Sequence, residues 1–193
     1  MIILQCKPET VLRALRDATR PVVNPEPLFT ALASDLERSV RKNFRAGGRP
    51  LKWQVSRWGM QEGRKTLIRR GLLLNSISRR HTGKEATVFT NNPYARIHEF
   101  GGVILPKRAK ALTVPLSPLA EGKRAGDFDR KQTFLLKRDG KAPVIMLKQE
   151  QGEPIALFVL LKSVRIPARP FMEPPASDLQ VMKERVERFV AGR

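Results

Sequence analysis

Cysteine is almost missing from this chain: Cys6 stands alone among 193 residues. One thiol forms no internal disulfide and builds no multi-cysteine zinc site. Histidine is nearly as scarce. His81 and His98 have no cysteine or acidic cluster at metal-ligand spacing, and the pair His98-Glu99 is by itself too little to hold an ion. Long apolar runs are missing as well: the longest, Ile155 to Leu161, is far short of the roughly 20 residues that a membrane-spanning helix needs. It reads instead as a buried strand. The opening residues Met1 to Pro8 lack a basic stretch followed by a long apolar core, so no secretion signal is read there and the protein is expected inside the cell when made.

Acidic residues are the other shortage. Asp and Glu number 18 against 37 Lys and Arg, which leaves a formal charge of +19. Such an excess predicts attraction to a polyanion or to an acidic protein surface, and it says nothing about fold. Nucleic acid, an acidic partner subunit and a merely solvated basic surface all stay open. Hydrophobic residues make up 41% of the chain, enough to build a core.

The groups that catalysis requires do not converge. Gly47-Gly48 is not followed by the Lys-Ser/Thr of a phosphate-cradling loop. Ser76 lacks the flanking glycines of a nucleophile elbow. Glu62, Glu85, Glu99 and Glu121 supply carboxylates, but nothing in their spacing singles out a pair. No enzymatic activity, catalytic residue, metal or cofactor is expected.

What is present suggests an α+β protein. Val11, Leu12, Leu15 and Ala18 share a helical face between Pro8 and Ala18, and Pro21, Pro25 and Pro27 then break the chain. Residues 1–25 accordingly read as an N-terminal arm with a helix and a linker, and residues 26–193 as one domain. A helix starts near Pro27, carries Phe29, Leu32, Leu36, Val40 and Phe44 as its apolar stripe, and stops at Gly47-Gly48. A short helix is expected over Gly71 to Ile77. Strands are expected over Ala86 to Thr90, Val103 to Leu105, Ala111 to Val114, Thr133 to Leu136, Val144 to Lys148 and Ile155 to Lys162. Arg138 to Lys141 and Gln149 to Pro154 are turn signals. Residues 117–131, with Gly122, Gly126 and no period, read as a long exposed mobile loop. A last helix places Leu179, Met182, Val186 and Phe189 on one face, with Ser177 and Gln180 as a capping box. The fold predicted is a central antiparallel sheet, a small sandwich or barrel-like, between N- and C-terminal helices.

Positive charge is densest from Arg38 to Arg80. Arg38, Arg41, Lys42, Arg45, Arg49, Lys52, Arg57, Arg64, Lys65, Arg69, Arg70, Arg79 and Arg80 face one acid there, Glu62, with Trp53 and Trp58 interleaved. Such a stretch suits an electrostatic surface for DNA or a partner protein, with no motif that would read a base sequence. Trp53 is assigned to the core, and Tyr94 and Phe171 to core anchoring rather than to a ligand site. Gly101-Gly102 permits a tight exit from the Tyr94 to Phe100 segment. Arg169, between Pro167 and Pro170, sits on stiff backbone that suits a fixed ion pair, either internal or with a neighbouring subunit.

Three segments occur in order: Phe44 to Trp53, leading to Gly71-Leu72-Leu73-Leu74-Asn75-Ser76-Ile77; then Asn92 to Gly102, with Tyr94, Ala95, His98, Phe100, Gly101 and Gly102; then Ile166-Pro167-Ala168-Arg169-Pro170-Phe171-Met172. Together they resemble the phage virion morphogenesis family of Mu-like phages, which is related to tail-completion proteins. The resemblance runs from about Leu28 to Val190 and departs from Lys107 to Val164, where Ala111 to Ser117 is similar to a longer subgroup.

That resemblance implies a structural protein of the phage neck. It would complete or terminate the tail, or join it to the head, as a ring of six identical subunits in contact with neighbouring neck and tail proteins and, without sequence preference, with packaged DNA. Trp53, Tyr94, His98, Phe100, Gly101, Gly102, Arg169 and Phe171 would then serve packing within and between subunits. Assembly in the host cytoplasm and residence in the virion follow, with no membrane contact. The competing expectation is a non-specific DNA-binding protein acting outside the virion.

Overall fold

Two prolines and an asparagine set the start of the longest helix. The Asn24 side chain accepts the amide of Glu26 at 3.1 Å, and Pro27 occupies the first turn, where its missing N–H costs nothing. Helix α1 then runs over Glu26–Ala46. It ends because Gly47 adopts a left-handed conformation (φ 69°) and the amides of Gly47 and Gly48 close onto Phe44 and Asn43. Gly48 is irreplaceable for a second reason. A Cβ there would sit 2.5 Å from the Leu51 carbonyl and 2.7 Å from the Trp53 nitrogen, so the chain could not fold back.

The computed structural model describes residues 2–6, 24–56, 60, 63 and 65–191. The helix expected over Pro8 to Ala18, the proline at Pro21, and Arg57, Trp58, Glu62 and Arg64 lie outside them. The described chain is α+β, with helices and open antiparallel sheets that, among the described residues, close into no barrel. It divides into a first unit, Met1–Gly101 with Pro167–Arg193, and a second, Gly102–Ile166, which contains the whole stretch that departs from the family pattern.

In the first unit, residues 2–6 are not part of a free arm. They form strand β1 (Ile2–Cys6), paired antiparallel with β3 (Glu85–Thr90), which pairs on its other side with β2 (Ile77–Thr82). The short helix α2 (Leu72–Asn75) leads into β2, and α3 (Ala95–Phe100) follows β3. Helix α1 lies on β2 and β3, and the C-terminal helix α4 (Ala176–Val190) packs beside it. Leu28, Leu32, Leu36, Val40 and Phe44 of α1 meet Ile77, Val88, Met182 and Val186 in one core. Phe44 packs edge-to-face on Trp53 (5.9 Å, 84°) and tilted on Phe171 (4.9 Å). Such aromatic contacts add about 0.5–1.5 kcal/mol each beyond buried area.

The capping box expected at Ser177 and Gln180 does not form. Pro175 precedes α4, the Gln180 amide turns forward to Glu184, and Asp178 is the first-turn residue that engages the rest of the unit.

The second unit has a two-stranded ribbon, β4 (Gly102–Ile104) with β9 (Val164–Ile166), and a four-stranded sheet in the order β5-β8-β7-β6. These strands are β5 (Leu112–Pro115), β6 (Thr133–Arg138), β7 (Lys141–Leu147) and β8 (Ile155–Leu161). The span 117–131 is more than an exposed loop. It holds two 3-10 turns, buries Ala120 against Leu157 and Phe158, and sets Phe128 edge-to-face on Phe158. Two apolar anchors thus tie down a segment with no apolar period. Phe128→Ala should release one of them, so trypsin should cut after Lys123, Arg124, Arg130 or Lys131 faster than in the parent protein. Unchanged cutting would show that Phe128 does not restrain the span.

Candidate functional site

The three family-like segments meet in the first unit, and the joints between them are polar. Asp35, Ser39 and Asn43 recur every fourth residue of α1 and so line one face beside the apolar stripe; all three are buried. Each is answered from the C-terminal segment. Asp35 accepts Arg185 of α4 at 2.7 Å. The Ser39 hydroxyl donates to Asp178 at 2.6 Å. The Asn43 amide donates to the Phe171 and Glu173 carbonyls, both at 2.9 Å. Arg49, just past the glycine turn, completes the joint: it donates to the Asn43 side chain, to the Ser39 carbonyl and, at 2.8 Å, to Asp178. Burial pushes the Asp178 carboxyl up, but the hydrogen bonds from Arg49 and Ser39 outweigh it and hold the group below its ordinary range.

The second segment joins through Glu99. Its side chain is buried at the back of α3 and accepts the amides of Phe171 and Met172 at 2.9 and 3.1 Å. Burial raises its pKa, and these two bonds only partly offset that. Arg169 lies across the same seam. It is 6% exposed, its amide donates to the His98 carbonyl at 2.8 Å, and its guanidinium donates to the Gln54 carbonyl at 3.2 Å. Among the described residues the guanidinium therefore meets a backbone carbonyl within its own chain. Burial, and then the nearby Arg169 charge, lower the pKa of His98, whose Nδ1 is buried. Gly101, at φ 68°, ends α3.

Trp53 and Phe171 are core residues, whereas Tyr94 is not: it is 67% exposed, and Phe100 is 64% exposed. Helix α3 buries Ala95 and the Glu99 carboxylate and leaves Phe100, with Tyr94 just before its first residue, exposed. Six residues are too few to build an aromatic stripe, so which side met the core could not be read from spacing.

The basic segment is less available than its composition suggests. Arg38 pairs with Asp35, Arg41 and Arg79 with Glu37, and Arg49 with Asp178. Lys52 donates to the Ala46 carbonyl, Arg80 lies over the Phe89 ring, and Arg69 and Arg70 are engaged as well. Lys42, Arg45 and Lys65 remain as exposed cations of the segment. Asp35, Ser39, Asn43 and Asp178 are junction residues that sequence reasoning passed over, and Glu99 was weighed there only as a carboxylate for catalysis or metal binding. The polar i, i+4, i+8 pattern of α1 was the available signal. Among the described residues no group of three or more His, Cys, Asp or Glu could hold a metal.

A family description, the phage virion morphogenesis family, matches residues 6–128. The chain belongs to this family. The match starts well before Leu28 and ends before Ile166, so the last of the three segments lies beyond it. Mu-like prophage FluMu G protein 2 of Haemophilus influenzae is 32% identical over 110 residues, 57% of this chain and 75% of that one. No solved structure matches. Family membership makes the chain a phage virion morphogenesis protein, and its junction serves architecture.

Two outcomes check the junction. Glu99→Ala leaves two buried amides without an acceptor and should destabilise the protein by about 2–4 kcal/mol, while Glu99→Gln keeps an acceptor oxygen and should cost much less. Equal losses would contradict the acceptor role. Asp178 has a depressed pKa when folded, so its contribution is complete above its unfolded pKa and is lost as pH falls through the lower, folded value. Acid unfolding followed by circular dichroism should therefore be less steep in Asp178→Asn, which is also less stable at neutral pH by on the order of 2 kcal/mol. An unchanged acid limb would show that the Asp178 pKa is the same in both states.

Proposed function

We infer that this chain is a structural subunit of the phage neck, which completes or terminates the tail, or joins it to the head, as a closed ring of six copies. The observation that carries this reading is the pair of exposed aromatics at the two ends of α3, Tyr94 and Phe100. A protein that worked alone would gain about 25 cal/mol per Å² by burying Tyr94 and Phe100, yet both face outward from a helix fixed in place by Glu99. Large aromatics held rigidly at a surface suit a subunit interface, where aromatic anchors dominate binding. A heterologous contact of this kind, repeated around an axis, closes a ring when its rotation divides the circle. Six copies would match the symmetry that the family resemblance implies for the tail. Neighbouring neck and tail proteins are then the natural partners, and the virion the location, with assembly in the host cytoplasm.

Replacing Phe100 with Ser should leave the fold within about 0.5 kcal/mol of the parent, as surface changes do, yet remove the protein from assembled particles. Particles that form normally with Phe100→Ser would sink the interface. Imaging particles made without the protein separates the finer roles: free heads beside free tails support joining, and tails of uncontrolled length support termination. Virion density showing a single asymmetric copy would overturn the ring.

A further inference from the structure

Among the described residues, the positive charge left without an ion pair is concentrated away from Arg38 to Arg80. Residues 102–166 hold thirteen Lys and Arg against six Asp and Glu, and all thirteen cations are exposed. The strand register gathers five of them. Arg138 faces Lys141 across the β6–β7 turn. Val144 pairs antiparallel with Val159, β7 begins at Lys141 and β8 ends at Leu161, so Lys141 and Lys162 come to the same end of the sheet. Leu161 pairs with Leu112, which sets Lys162 beside Ala111 and next to Lys110. Lys110, Lys162, Lys141, Arg138 and Lys137 therefore cross one end of all four strands, a row roughly 14 Å long at the usual strand spacing. Among the described residues none of the five makes an ion pair. Asp139 is the one acid in the β6–β7 turn.

We propose that this strand-end row contacts the phosphate backbone of duplex DNA. Four of the five cations are lysine, which protein interfaces disfavour, and no exposed aromatic stands among them as an anchor. Phosphate contacts need only such cations, and by releasing counterions they give affinity without sequence preference. In the first unit, by contrast, Arg38, Arg41, Arg49 and Arg79 already have carboxylate partners, so a bound phosphate would have to displace them. The proposal deepens the neck reading by naming DNA as a neighbour of the second unit, and it rests on that reading for the source of the DNA.

Fluorescence anisotropy of the full chain with a labelled duplex of mixed sequence tests it. Lys137→Gln, Arg138→Gln and Lys141→Gln together should flatten the log–log salt dependence by about three units, one per lost contact, and lower affinity at ~0.1 M salt on the order of a hundredfold. Lys110→Gln with Lys162→Gln, on the two other strands, should flatten it by about two. Lys42→Gln with Arg45→Gln in α1 should leave the slope unchanged. The site is overturned if the triple variant binds like the parent, if the α1 pair flattens the slope as much, or if the parent ignores DNA at low salt, as a row meant for an acidic protein would. The assay needs no particle. Lost DNA binding alongside normal particles would leave the neck role standing, and failed assembly with normal DNA binding would count against that role alone.

Discussion

Asp35, Ser39 and Asn43 are carried into the interior by the same helix that brings in Leu32, Leu36 and Val40, because all of them ride on α1. A buried amide, hydroxyl or carboxylate without a partner costs about 1–3 kcal/mol or more, so α1 can sit where it does only if something answers each of the three. The answers come from residues more than 125 positions later: Phe171, Glu173, Asp178 and Arg185. Hydrophobic packing alone would let α4 slide along α1 at little cost. Three polar joints at fixed spacing do not allow that, and Arg49 locks the middle one by reaching both Asn43 and Asp178.

Once the C-terminal segment is fixed by α1, the 171–172 backbone becomes a fixed donor surface. Glu99 caps it, which turns α3 so that its carboxylate is inside and Tyr94 and Phe100 are outside. The exposed aromatics are thus a consequence of the polar joint two layers below. This suits a protein whose work is to be held by its neighbours: affinity for a partner improves when the contact residues need no reorganisation. The Glu99 carboxylate and the Arg169 guanidinium, which would otherwise suggest chemistry, are used in this construction, as is the backbone carbonyl of His98.

Helix α1 and six of the nine strands were legible in the sequence, because alternation and helical spacing are local signals. Strands β1, β2 and the three-residue β9 were not. β2 exposes Ser78, Arg79, Arg80 and Thr82 and buries little besides Ile77, so only its pairing with β3 makes it a strand. β1 depends on partners 80 to 88 residues away. The burial of Trp53 and Phe171 followed from their size and setting, whereas Tyr94 carried the same signal and lies outside. Arg49 looked like one cation among thirteen; its partner Asp178 is 129 residues distant, and no local pattern links them. The charge of the segment was read as surface because composition counts cations but cannot see which acids they meet. The division into two units had a trace in the sequence: Gly101-Gly102 and Pro167 stand at its boundaries, and the departure from the family pattern over Lys107 to Val164 lies inside the second unit.

Amide hydrogen exchange at Phe171 and Met172, under conditions where opening is reversible, tests the central claim most directly. Both amides end on Glu99 in a segment with no regular secondary structure, so their protection depends on the joints described above. If those joints hold the first unit together, the two amides exchange only through its global unfolding, with the same free energy as the amides in the middle of α1. Exchange at the rate of an ordinary surface loop would contradict the account.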